Sequence, residues 1–171
     1  MAMISWNRKS LLTIEELKPD EISLILDTAD SIKSISDKTD PIFSSLKGKR
    51  IINLFMEPST RTRVAFEVAA KSLGADIITI TGEASSLTKG ETLKDTAMNV
   101  QALGADAIII RHSSPGSPLF LSKMVEVPII NAGDGAHEHP TQALLDSYSM
   151  RQEIGDLRNK NILITINLTF F

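Results

Sequence analysis

Between Glu57 and Arg63 the chain runs Glu-Pro-Ser-Thr-Arg-Thr-Arg, placing three hydroxyls and two guanidiniums within seven residues. An apolar run precedes this stretch and a helix-patterned run follows it. These side chains therefore belong on the first turn of a helix. Free backbone N–H groups and the positive end of the helix dipole meet there, which suits an anion and above all a phosphate. Arg61 has the fork geometry to hold such an anion through two nitrogens. The plainer alternative is N-capping by Ser59 or Thr60. A cap uses one hydroxyl, however, and arginines at a positive helix end oppose the dipole. No GxxxxGK[ST] pattern is present, so a nucleotide P-loop is not implied.

Three further loops carry groups able to do chemistry. Ser85-Ser86-Leu87-Thr88-Lys89-Gly90-Glu91 is polar and ends at a glycine. Its Lys89 is either the tip of a lid reaching an anion or a solvated surface lysine. Arg111-His112-Ser113 follows Ile108, Ile109 and Ile110, so Arg111 either faces a ligand at the end of a buried strand or merely terminates it. The stretch from Asn131 to Gln142 holds Asp134, His137, Glu138 and His139. Histidines two residues apart do not share a helical face, His112 is the only other histidine, and both HExxH and HxE…PCxxC are absent. No metal is expected. The expected use is one histidine at a helix N-terminus, where the dipole lowers its pKa and the neutral ring can polarise a carbonyl. Gln142, in the first helical turn, could read an amide. The alternative is an ordinary helix start with Pro140 at its first position.

The elements that would position these loops follow from apolar periodicity. Asp20 is a plausible cap for a helix bearing Ile22, Ile25, Leu26, Ala29 and Ile32, which a charged turn ends at 36–40. Strands are predicted over 50–55, 76–80, 107–110, 127–130 and 161–166. Helices are predicted over 62–73, 91–103 and 141–154, with a short one after Pro115–Pro118. The segments 81–90 and 131–140 read as loops. Strands alternating with helices specify an α/β fold, a parallel sheet with helices on both faces. Ligands of such sheets bind at the carboxyl ends of the strands, where the loops starting at Glu57, Thr81, Arg111 and Asn131 lie.

Composition narrows the function. The chain has 171 residues, 42% hydrophobic and 23% charged, as in a globular domain with an ordinary core. Lys plus Arg number 18 against 21 Asp plus Glu, a net charge of −3. With no basic block, general nucleic-acid binding is not expected. The absence of Cys removes thiolate nucleophiles and Cys zinc sites. No apolar run is long enough for a bilayer and the first ten residues lack a signal-peptide h-region, so a soluble cytoplasmic protein is expected.

The run Ser59-Thr60-Arg61-Thr62-Arg63, with Lys89-Gly90-Glu91-Thr92, Arg111-His112 and His139-Pro140-Thr141-Gln142 in that order, resembles the aspartate/ornithine carbamoyltransferase family. The likeness extends from about Ser10 to Ile166. The Asn131–Gly135 loop and the run from His139 to Asp146 look like the aspartate branch; the ornithine branch typically carries Cys in place of Thr141. The resemblance implies carbamoyl transfer from carbamoyl phosphate to L-aspartate, an early step of pyrimidine synthesis, needing no cofactor or metal. Ser59, Thr60, Arg61 and Thr62 match the phosphate cradle. Arg111 and His139 match groups near the carbamoyl oxygen, and Gln142 a contact to the carbamoyl amide. Ser85 and Lys89 match loop residues that reach into a neighbouring subunit's site. That implies a homotrimer of catalytic chains, with regulatory chains a further possible partner. Residues 1–156 match the carbamoyl-phosphate-binding domain. Residues 157–171 match only the start of an aspartate-binding domain, whose Gly-Asp…Arg loop is replaced by Asn167-Leu168-Thr169-Phe170-Phe171. The expectation is a truncated chain, inactive alone. The alternatives are a carbamoyl-phosphate-binding module without turnover, or an ornithine carbamoyltransferase.

Overall fold

The computed structural model describes residues 6–36, 44–82 and 92–165. Helix α1 (Pro19–Ser36) precedes four βα units: β1 (Arg50–Phe55), α2 (Thr60–Ser72), β2 (Asp76–Thr81), α3 (Leu93–Ala102), β3 (Ala107–His112), α4 (Ser117–Ser122), β4 (Ile129–Asp134) and α5 (Pro140–Ile154). The strands form one parallel sheet in the order β2-β1-β3-β4. The expected α/β architecture is therefore present.

Strand side chains alternate between faces, and the core divides accordingly. Ile52 and Leu54 of β1 and Ile108 and Ile110 of β3 pack with Ala97 and Val100 of α3 and Leu121 of α4. Ile51, Phe55 and Ile109 point the other way, toward Ala70 of α2. Both faces of the central strands are thus buried, which is why they read as unbroken apolar runs. Asn53 is the polar exception. It is fully buried, and its Nδ2 donates to the Arg63 carbonyl at 3.2 Å, tying β1 to the first turns of α2.

The free edge of β4 is covered by the segment before α1. Leu11 N–H donates to the Ile129 carbonyl, and Asn131 N–H donates to the Leu11 carbonyl, both at 2.9 Å. This strap masks backbone groups that would otherwise template pairing with another chain.

Three expectations need correction. The fourth strand is not 127–130 but Ile129–Asp134, so the first four residues of the expected Asn131 loop are strand. Asn, Gly and Asp have low strand propensity, yet here the strap, the buried Asn131 side chain, β3 and the Glu138 carbonyl supply backbone partners. Likewise β3 is not 107–110 but runs on to His112, so Arg111 lies within the strand rather than after it. The fifth strand is not formed over 161–165, where the chain is irregular and Leu163 and Ile164 are 88% and 74% exposed. A strand exists only through a neighbour's hydrogen bonds, and none of the described strands offers its edge there. Ile166 lies outside the described residues. Smaller shifts occur at helix starts: α2 begins at Thr60 rather than 62 and α3 at Leu93 rather than 91.

Candidate active site

The loops meet where the sequence placed them, at the carboxyl ends of β1, β3 and β4. A cleft of about 800 Å³ is lined by Ser59, Arg61, Thr62, Arg111, His139 and Gln142, with Thr141 beside them. Ala65, Phe66 and Ala69 of α2 and Leu145 of α5 form its apolar wall. Thr60 faces an adjoining cleft of about 480 Å³, which it shares with Ser59, Glu57 and Arg63. Ser85 and Lys89 lie outside the described residues.

At the start of α2, Ser59 occupies the N-cap position with extended backbone, yet its side chain makes no capping hydrogen bond. The first turn contains no acidic residue. Contrast α3, where Thr92 accepts from Asp95 N–H while the Asp95 carboxylate accepts from Thr92 N–H, a complete capping box. The capping alternative for Ser59 thus fails. The α2 terminus keeps its orphan donors, its dipole and its hydroxyl for something negative.

Arg111 reaches the cleft from inside the sheet. Its Nη1 donates to the Ala132 carbonyl at 3.1 Å and its Nη2 donates to Glu57 Oε1 at 2.5 Å. Its Nε is buried without a partner among the described residues. Opposite Arg111, the β3–β4 register slips. Ile110 pairs with Asn131 but His112 pairs with Asp134, so β4 carries one residue more than β3 across this interval. Bulges of this kind re-aim side chains next to binding sites. Gly133, at φ +115, is required there: a Cβ would meet Arg111 Nη1 at 2.5 Å and His139 Cδ2 at 3.2 Å.

His139 is the N-cap of α5. Its Nδ1 accepts from the Gln142 N–H at 3.3 Å, with Thr141 Oγ1 also 3.3 Å away. An Nδ1 that accepts from a backbone amide leaves the ring proton on Nε2. Burial, reinforced by the nearby Arg111 guanidinium, holds the imidazole below its ordinary pKa. The site therefore presents a neutral histidine with one N–H to donate. Gln142 donates its Nε2 to Asp146 Oδ1 at 2.8 Å, which leaves its Oε1 as an acceptor for an amide N–H.

Several residues of this arrangement had no assigned role in the sequence reading: Glu57 as partner of Arg111, Gly133 at the bulge, and the buried pair Asn131 and Asp134 behind the His139 turn. Glu57 was visible as the first residue of the hydroxyl-rich loop. The others were concealed by the reading of 131–140 as loop. Among the described residues, no three His, Cys, Asp or Glu side chains converge as metal ligands. No described helix is long and apolar enough to cross a membrane.

Comparison with known proteins agrees with this geometry. Residues 9–152 match the family model for the aspartate/ornithine carbamoyltransferase carbamoyl-P binding domain. The aspartate carbamoyltransferase catalytic subunit of Opitutus terrae is 53% identical over 165 residues, covering 96% of this chain and 52% of that protein. The catalytic subunit of M. jannaschii aspartate transcarbamoylase superposes with a TM-score of 0.82 at 43% identity, over 88% of this chain and 49% of the other. Aspartate transcarbamoylase from Trypanosoma cruzi, solved with carbamoyl phosphate and aspartate, gives the same TM-score at 34% identity, over 87% and 49%. The chain spans about half the length of the curated relatives it matches.

Proposed function

The chain belongs to the aspartate/ornithine carbamoyltransferase family, and from that premise we propose that its cleft binds carbamoyl phosphate for carbamoyl transfer to L-aspartate. The observation that carries the reading is a convergence: the uncapped α2 terminus, Arg111 and the Nε2–H of His139 border one cleft. The phosphate sits on the α2 terminus, held by the hydroxyls of Ser59, Thr60 and Thr62 and the fork of Arg61. The carbamoyl oxygen faces Arg111 and His139, and the carbamoyl amide donates to Gln142 Oε1. Attack by the aspartate amine on the carbamoyl carbon moves negative charge onto that oxygen, and the C–O bond to phosphate breaks. Preorganised donors at a developing oxyanion each contribute about 2.7–4 kcal/mol. The leaving phosphate remains on the helix terminus that already favours it.

The aspartate branch is favoured by Thr141, which stands where the ornithine branch typically carries Cys, and by the relatives named aspartate carbamoyltransferase. We place the reaction in pyrimidine synthesis in the cytoplasm, with residues 1–156 as the carbamoyl-phosphate-binding domain and the aspartate-gripping groups outside it. The resemblance extends the proposal to a homotrimer in which Ser85 and Lys89 serve a neighbour's cleft. Mass measurement in solution tests that assembly, and a monomer at all concentrations would overturn it.

Calorimetry tests the site itself. The chain should bind carbamoyl phosphate more tightly than inorganic phosphate. Arg61→Ala should weaken both by roughly 1.5–3 kcal/mol, the scale of a lost charged hydrogen bond. Unchanged affinity in Arg61→Ala would show the cradle to be misassigned.

A further inference from the structure

We propose that Asp134 is the positioning residue of this site: its buried carboxylate ties the turn after β3 to the turn after β4 and thereby sets Arg111 against His139. The inference rests on the carbamoyl-phosphate reading of the cleft and adds to it a residue that touches no substrate.

Asp134 ends β4 and is 1% exposed. Its Oδ2 accepts from Gly116 N–H at 2.7 Å and stands 3.0 Å from His137 Nδ1. Its Oδ1 accepts from Glu138 N–H at 2.9 Å and from Asn131 Nδ2 at 3.3 Å. Its own N–H donates to the Glu138 carbonyl at 3.0 Å. Both backbone groups of Glu138 are therefore clamped to Asp134, and the next residue is His139. The Gly116 bond reaches the other loop, which begins at the end of β3 just beyond Arg111. Gly135 closes the same junction, since a Cβ there would collide with the Ser113 carbonyl. Asn131 Oδ1 accepts from Gly133 N–H at 2.8 Å, fixing the bulge residue that separates Arg111 from His139.

An acceptor-only carboxylate is what this position needs, because donors approach both oxygens. Asparagine has the same shape but must turn its NH2 toward one pair of donors. Asp134→Asn should thus loosen one of the two turns without leaving a cavity.

The test separates positioning from general destabilisation. Inorganic phosphate should need only the α2 terminus, whereas carbamoyl phosphate also needs Arg111 and His139. In Asp134→Asn, affinity for carbamoyl phosphate should fall about tenfold while phosphate affinity stays within about twofold. Nitrogen NMR of His139 should change from a single Nε2–H tautomer to a mixture. Retained preference for carbamoyl phosphate together with an unchanged His139 signal in the folded variant would overturn the inference. If Asp134→Asn does not fold, His137→Ala decides, because it removes one donor on a half-exposed side chain: an approximately threefold loss of preference supports the inference and no loss overturns it. If the parent chain shows no preference for carbamoyl phosphate over phosphate, the functional reading fails, and the His139 tautomer still decides the positioning role.

Discussion

Arg111 holds its position through a residue of its own sign-opposite kind. Glu57 Oε1 lies 2.5 Å from Nη2, and Glu57 also borders the α2 terminus beside Ser59 and Thr60, so an anion settling there meets a carboxylate. Replacing Glu57 by Gln keeps a hydrogen-bond acceptor and removes the charge. Affinity for inorganic phosphate should rise up to about tenfold, ~1.4 kcal/mol, as expected for deleting one like charge at the edge of a solvated site. Isothermal titration at low and high salt would measure it, and an unchanged or weaker affinity would show that Glu57 does not compete with the ligand. His139 makes a second prediction. Its pKa lies below the ordinary 6.5 because burial disfavours the charged ring, so the unfolded chain takes up the proton first as pH falls. Its contribution to stability is complete above pH 6.5 and is lost as pH drops toward the folded-state value. His112, also lowered by burial, acts in the same direction. Urea midpoints taken between pH about 7.5 and about 5 should therefore decline less steeply in His139→Gln than in the parent. Equal slopes would mean that His139 titrates alike in both states.

Two helix starts beside one sheet are built differently. The Thr92 box satisfies donors of α3, so Thr92→Ala should cost about 1 kcal/mol of stability. Ser59 makes no such bond on α2. Ser59→Ala should cost less than about 0.5 kcal/mol yet weaken anion binding. Urea unfolding and calorimetry on both variants would read the contrast; a larger stability loss at Ser59 than at Thr92 would return the capping explanation. The β3–β4 bulge is a related device at the scale of a strand. It gives up ladder regularity at the point where the Arg111 side chain reaches from the strand into the cleft.

At the scale of the described molecule, apolar side chains after α5 are exposed. Ile162, Leu163 and Ile164 are 44%, 88% and 74% exposed and contiguous in sequence. Contiguous exposed apolar side chains promote association. Serine at both Leu163 and Ile164 should reduce concentration-dependent light scattering and shift stability by no more than about 0.5 kcal/mol. Unchanged scattering would place the sticky surface elsewhere, Val64 and Val68 of α2 and Leu119 and Phe120 of α4 being other exposed apolar pairs.

The sequence by itself determined the alternation of strands and helices, the edge of the sheet where the candidate site lies, and most of the residues that gather there. Those signals are local: apolar period, a helix start rich in hydroxyls, Pro140 beside a histidine. Arg50–Phe55 was legible to the residue because both its faces are buried and its composition says so. Only the tertiary structure decided that Asn131–Asp134 is strand, since the partners that make it one are Leu11 and β3, over a hundred and about twenty residues away in the chain. Likewise, the sequence at 161–165 has every local property of a strand and forms none, because a strand is a relation between segments rather than a property of one. The pairing of Glu57 with Arg111 and the hydrogen bonds that converge on Asp134 belong to the same class. Each depends on distances across loops that local periodicity does not encode.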